Sequence, residues 1–133
     1  MDIQNLAYAI TQIVHNFGAV AVVGGSASAL ARNDAGTQRG LAWLVLAGWL
    51  VQAVSGGTFG AISYYYYAKF PDIHGIAVAA LIVKVVCAVL GVTLTAWQLH
   101  SRFSEVSRRY FWPVLCGLGV LALSSAAVLR WFS

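Results

Sequence analysis

The sequence predicts an all-α fold, an integral membrane up-down-up-down bundle of four transmembrane helices. Three observations carry that prediction. Hydrophobic residues make up 60% of the 133-residue chain and charged residues only 9%, whereas soluble domains carry about a quarter charged residues. Four apolar stretches each reach the roughly 20 residues that a bilayer crossing requires. The connections between them are short, which forces neighbouring helices to run antiparallel. These stretches and loops use up the chain, so it reads as a single transmembrane domain over residues 1–133.

The first span is expected over residues 5–31 and the second over 41–65. The third is expected over 73–100 and the fourth over 110–131. Asp2 precedes the first span, and no basic leader or small-residue cleavage pattern separates it from the rest, so the segment reads as a retained helix rather than a signal peptide. Helix two closes on the run Tyr64 to Tyr67. Together with Trp43, Trp97, Trp112 and Trp131 near helix ends, these rings suit a membrane interface. Four consecutive tyrosines point around a whole turn, so one or two are expected to face inward. Gly56 with Gly60, and Gly24 with Ser28, have the small-xxx-small spacing that lets helix backbones approach.

Loop one, ARNDAGTQRG, carries Arg32 and Arg39, and loop three, SRFSEVSRRY, carries Arg102, Arg108 and Arg109. Loop two, AKFPDIHG, has only Lys69, offset by Asp72. The positive-inside rule therefore places loops one and three in the cytoplasm and both termini on the outer side of a cell inner membrane, the periplasmic side in a Gram-negative bacterium. The formal charge of +4 comes from basic residues scattered singly, without the patch that tracks phosphates, which excludes nucleic-acid binding. Cys87 and Cys116 fall inside spans, where a free thiol ordinarily packs as a small apolar group. The sequence contains no CxxC, HExxH, Walker or dinucleotide motif.

Ionisable residues at bilayer depth usually face the bundle interior, so each is a functional candidate. His15 lies about ten residues into helix one and Lys84 about eleven into helix three, which places them at nearly the same depth. Tyr8, Gln12, His15 and Asn16 follow the i, i+4, i+7, i+8 spacing of one helix face. Helix two adds Gln52 and Ser55 at that level, and helix three lines up Lys84, Cys87, Gly91, Thr95 and Gln98. The expected site is a polar cavity among helices one, two and three, with Gln12, His15, Asn16, Gln52 and Lys84 as its residues. An imidazole there suits haem iron or copper, or proton transfer. Lys84 could pair with a haem propionate or an anionic substrate, or carry a proton itself. The plainer reading makes His15 a core histidine bonded to Asn16, Gln52 or a backbone carbonyl, and makes Lys84 a side chain snorkelling to the interface. His74 and His100 lie at opposite ends of helix three, so neither can share one iron with His15. His74 beside Asp72 is an ordinary loop pair before it is a metal site.

The stretch HNFGAVAVVGG, from His15 to Gly25, resembles the first helix of the copper resistance D (CopD) family and of the related four-helix HemJ-type protoporphyrinogen oxidases. LIVKVVCAVLG, around Lys84, resembles their third helix, which carries an intramembrane lysine. The resemblance covers two of the four helices. It implies that His15 is a haem ligand or metal-handling residue and that Lys84 works in the same site. The segment RFSEVSRRYFWP keeps Arg102, Glu105 and Pro113 of the oxidases' stretch before helix four, at a different spacing.

The expected function is that of a membrane redox or metal-handling protein, binding haem b, or copper as the alternative, at a midplane site. His15 is the metal ligand and Lys84 the charged, catalytic partner. Electron transfer or protoporphyrinogen-oxidase-like chemistry would follow. The rival expectation is an accessory subunit without catalysis, packed as a homo-oligomer or within a larger respiratory or transport complex. A small transporter ranks last, since the chain lacks internal repeats and broken helices.

Overall fold

The computed structural model describes residues 3–69, 73–101 and 105–132, with the side chains of 105–108 outside the described set. Four α-helices account for nearly all of these residues: α1 (Ile3–Leu30), α2 (Ala35–Tyr67), α3 (Ile76–His100) and α4 (Glu105–Phe132). Each contains a segment long and apolar enough to cross a membrane.

Two helices start well before the positions expected from hydropathy. Helix α2 begins at Ala35 rather than at residue 41, because Asp34 caps it. Asp34 is extended (φ −84°, ψ 130°), and its carboxylate accepts the Thr37 backbone N–H at 2.8 Å. A capping carboxylate satisfies one of the four N–H groups that a helix start leaves unpaired. That contribution outweighs the poor helix propensity of Gly36 and Gly40. Helix α4 begins at Glu105 rather than at 110, since its first turns are too charged to count as an apolar span yet contain nothing that opposes a helix. Helix α3 starts later than expected, at Ile76, after Gly75 turns the chain at φ +55°. At the other side of that loop Ala68 adopts a left-handed conformation (φ 52°), and its N–H bonds the Tyr64 carbonyl at 2.9 Å.

Helix α1 packs on α2 and α4, and α3 packs on the same two. Among the described residues the backbones of α1 and α3 are not neighbours, so these helices face each other across a diagonal. Along the α1–α2 seam the partners run in reverse order. Gln4 meets Tyr67, His15 meets Ser55, Gly18 meets Gly48, Gly25 meets Val45, and Ala29 meets Gln38.

Helices this apolar can be held together by close backbone packing. Glycines provide it here. A Cβ on Gly48 would stand 2.9 Å from the Gly18 carbonyl oxygen, and one on Gly119 would stand 3.0 Å from Val22 Cγ1. A Cβ on Gly91 would overlap the indole of Trp49, which is itself 2% exposed. The glycines singled out by spacing serve differently: Gly24 and Gly60 have open space around them, and Gly56 touches only His15 Cε1, at 4.0 Å. Spacing identifies a face of small residues but does not say which face meets a neighbour.

The aromatic residues divide in a similar way. Trp43, Trp97 and Trp131 are exposed, as is each of Tyr64 to Tyr67, so none of the four tyrosines turns inward. Trp112, expected at the interface, is instead buried in the core with Phe111, Leu115, Val22 and Val45. The outer surface is dominated by Ile, Leu, Val and Phe side chains that have no partner within the bundle's core.

Replacing Gly91 with Ala is expected to destabilise the detergent-solubilised protein by about 1–3 kcal/mol through overpacking. Gly24→Ala should cost nothing, and Trp49→Phe should recover part of the Gly91→Ala loss; denaturant unfolding followed by circular dichroism reads all three. A second outcome concerns Asp34, which lies outside the spans. Hydrogen bonds from Thr37, aided by nearby Arg32, hold its carboxyl below the usual carboxylate range. A depressed folded-state pKa means that the cap is fully in force at neutral pH and is lost as pH falls through that lowered value. The protection factor of the Thr37 amide, its exchange relative to the unstructured rate at the same pH, should fall on acidification in the native chain, whereas Asp34→Ala should be unprotected throughout.

Candidate functional site

The site grows from the buried face of α1. Thr11, His15, Gly18, Val22, Gly25 and Ala29 recur every three or four residues and turn inward, the spacing of one helical face. His15 is 7% exposed. Its Nδ1 lies 2.7 Å from Ser55 Oγ on α2, and its Nε2 lies 3.0 Å from Lys84 Nζ on α3. The histidine therefore bridges three helices, reaching Lys84 across the bundle diagonal.

The hydrogen-bond directions follow from proton counting. The Ser55 hydroxyl has one proton, and Oγ donates it to the Val51 carbonyl of the preceding turn. Ser55 Oγ must then accept from His15, which assigns the imidazole proton to Nδ1 and leaves the Nε2 lone pair to accept from the Lys84 amine. A chain of three donors results, from Lys84 to His15 to Ser55, all pointing the same way. Gln52 adds a further tie, since its Nε2 donates to the His15 backbone carbonyl. Phe59 presents an edge to the imidazole at 5.7 Å and 75°, and Tyr8 stacks on Phe59 at 6.2 Å. This aromatic layer closes the site toward the end of the bundle where α1 begins.

His15, Lys84 and Gln52 are thus brought together as the sequence pattern places them. Gln12 and Asn16 are not. They bond each other at 2.7 Å on an exposed part of α1, because at about 100° per residue both lie to one side of His15, by about 60° and 100°, on the outer edge of the stripe. On α3, Cys87, Gly91 and Thr95 are buried in line with Lys84, and Thr95 Oγ1 donates back to the Gly91 carbonyl at 2.6 Å. His74 precedes α3 and His100 ends it, so each is far from His15. Asp72 and Arg102 lie outside the described residues, as do the side chains of Glu105 and Arg108. Ser55 and Phe59 are the contributors that sequence reasoning underweighted; their signal is the one-turn spacing Gln52, Ser55, Phe59 on α2.

Among the described residues no group of three or more His, Cys, Asp and Glu side chains converges in a way that could hold a metal ion. No family model matches the chain, and no curated protein or solved structure matches it at a significant level.

Because Ser55 and Lys84 act on one imidazole, Ser55→Ala and Lys84→Met are expected to be non-additive in unfolding free energy by about 0.5–3 kcal/mol. Nitrogen-15 NMR of histidine-labelled protein should show His15 protonated at Nδ1, and Ser55→Ala should shift that signal.

Proposed function

We propose that this chain is a multi-pass protein of a cell inner membrane, an up-down-up-down bundle with both termini on the outer side, whose central histidine would hold haem b in a redox site. The observation that supports it best is the way the imidazole is held. Nδ1–H is fixed by Ser55 while Nε2 faces the bundle interior, the arrangement in which ligating histidines have their second nitrogen tied down.

The donor set favours haem over copper. Haem brings four nitrogen donors of its own, so a single imidazole is a sufficient protein ligand. A bare copper ion would need several protein donors, and His15 with Lys84 is a poor set for it. Lys84 Nζ now stands at the position that a ligand of Nε2 would take. Its four-carbon stem and half-buried placement allow the amine to turn aside, where the ammonium is suited to pair with a carboxylate, whether a haem propionate or an anionic substrate. Bound haem supplies one-electron chemistry, for electron transfer or for a protoporphyrinogen-oxidase-like reaction. The residues of the chain do the rest: Ser55 and Gln52 orient His15, and Phe59 with Tyr8 keep water from it. Arg32 and Arg39 near one pair of helix ends, with Arg109, support the proposed orientation.

A second reading, an accessory subunit of a homo-oligomer or larger membrane complex, draws on Gly24 and Ser28. They lie on an exposed part of α1, and Gly24 has open space around it, a face that another transmembrane helix could meet closely.

Absorption spectra of the purified protein, oxidised and then dithionite-reduced, should show a Soret band that shifts on reduction. His15→Ala should lose the band, and Ser55→Ala should weaken haem retention by about 10–100-fold, the usual effect of losing a ligand's supporting hydrogen bond. A colourless, metal-free protein that extracts with other polypeptides in mild detergent would replace the haem reading with the subunit one.

A further inference from the structure

A second polar site lies at the opposite end of α1 from the aromatic layer, where α1 ends and α2 and α4 begin. A cavity of about 470 Å³ opens there, lined by Arg32, Asn33, Gln38, Arg109 and Trp112 among others. Two of the side chains that line it carry buried polar atoms without a hydrogen-bond partner. Trp112 is 2% exposed and its indole Nε1 donates to nothing, while Gln38 is 8% exposed and its Oε1 accepts from nothing. The Gln38 amide is not free to turn over. Its Nε2 donates to the carbonyls of Ala29 and Arg32, which completes the C-terminal end of α1.

Buried polar groups in folded proteins are almost always paired. An unpaired donor and an unpaired acceptor on two side chains that line one cavity therefore call for a partner that reaches both from it. It accepts from the indole N–H and donates to the amide oxygen. The two arginines add a charge requirement, since guanidinium groups match phosphate and carboxylate oxygens. Asp34, the carboxylate near Arg32, already accepts from Thr37.

We propose that this cavity binds a phosphate-bearing ligand with a hydrogen-bond donor of its own, with Arg32, Arg109 and Trp112 Nε1 holding the phosphate and Gln38 Oε1 taking the donor. A glycerophospholipid headgroup has that chemistry, and so does inorganic phosphate as the hydrogen-bearing anion. Basic pockets between helix ends at the cytoplasmic face are suited to such headgroups. The site shares no residue with the His15 centre, so either can fail without the other.

The full chain in a non-ionic detergent is the material for the test, with native mass spectrometry as the readout. Phosphatidylglycerol, which offers phosphate and hydroxyls, should be retained over phosphatidylcholine, which has the phosphate without a donor. Trp112→Phe removes the N–H and leaves a smaller aromatic ring, and Arg32→Gln with Arg109→Gln removes the charge. Each variant should lower retention by about tenfold or more; the arginine variant should leave the unfolding midpoint of the lipid-free protein unchanged, whereas Trp112→Phe should lower it by opening a core cavity, so the arginine variant separates lost binding from lost folding. Retention of added inorganic phosphate, lost in the same variants and without lipid preference, would assign the site to a soluble phosphate. Retention that ignores headgroup, added phosphate and both variants, or none at all, would overturn the proposal and leave water as the partner of Trp112 and Gln38.

Discussion

The contact of Trp49 with the bare backbone of Gly91 fixes how closely α2 and α3 approach, and the geometry of the polar centre depends on that distance. Six residues along α2 from Trp49 lies Ser55, and seven residues along α3 from Gly91 lies Lys84, displacements of about 9 and 10 Å. Both side chains must converge on one imidazole to within hydrogen-bond distance. A side chain as small as a methyl at position 91 would push the two helices apart and lengthen the Lys84 to His15 contact. Gly18 against Gly48 plays the same part on the α1 side. The interior is therefore set by where side chains are missing as much as by where they are present.

That arrangement explains how a cationic residue is tolerated so deep in an apolar bundle. The Lys84 amine has a nitrogen lone pair to donate to, and the imidazole that offers it is immobilised from behind by Ser55. Only one member of such a pair can carry the shared proton, so the site holds at most one positive charge. Removing the histidine would take away the acceptor that Lys84 has here. A requirement for both residues would thus follow from their mutual solvation as well as from any chemistry they perform.

Much of the architecture was legible in the sequence, because bilayer thickness translates directly into the length of an apolar run, and depth can be counted in residues from each end. The equivalence in depth of His15 and Lys84 is of that kind. What escaped was rotation about the helix axis. The stripe from Tyr8 to Asn16 is about a quarter of a turn wide, and its outer edge, Gln12 and Asn16, pairs at the surface rather than in the centre. Trp112 escaped for a related reason: an aromatic residue near a helix end suits the interface and the core equally well until the neighbouring helices are placed. The early start of α2 depended on a capping carboxylate, which a hydropathy average does not register.

The chain of hydrogen bonds through the histidine has an end point with a further meaning. After Ser55 it stops at a peptide oxygen of α2, which can accept a proton's attention but cannot pass the proton onward. The row of donors is a bracket, closed at one side, and not a wire through the bundle. The imidazole is thereby held from behind, with its ring already aimed and unable to rotate.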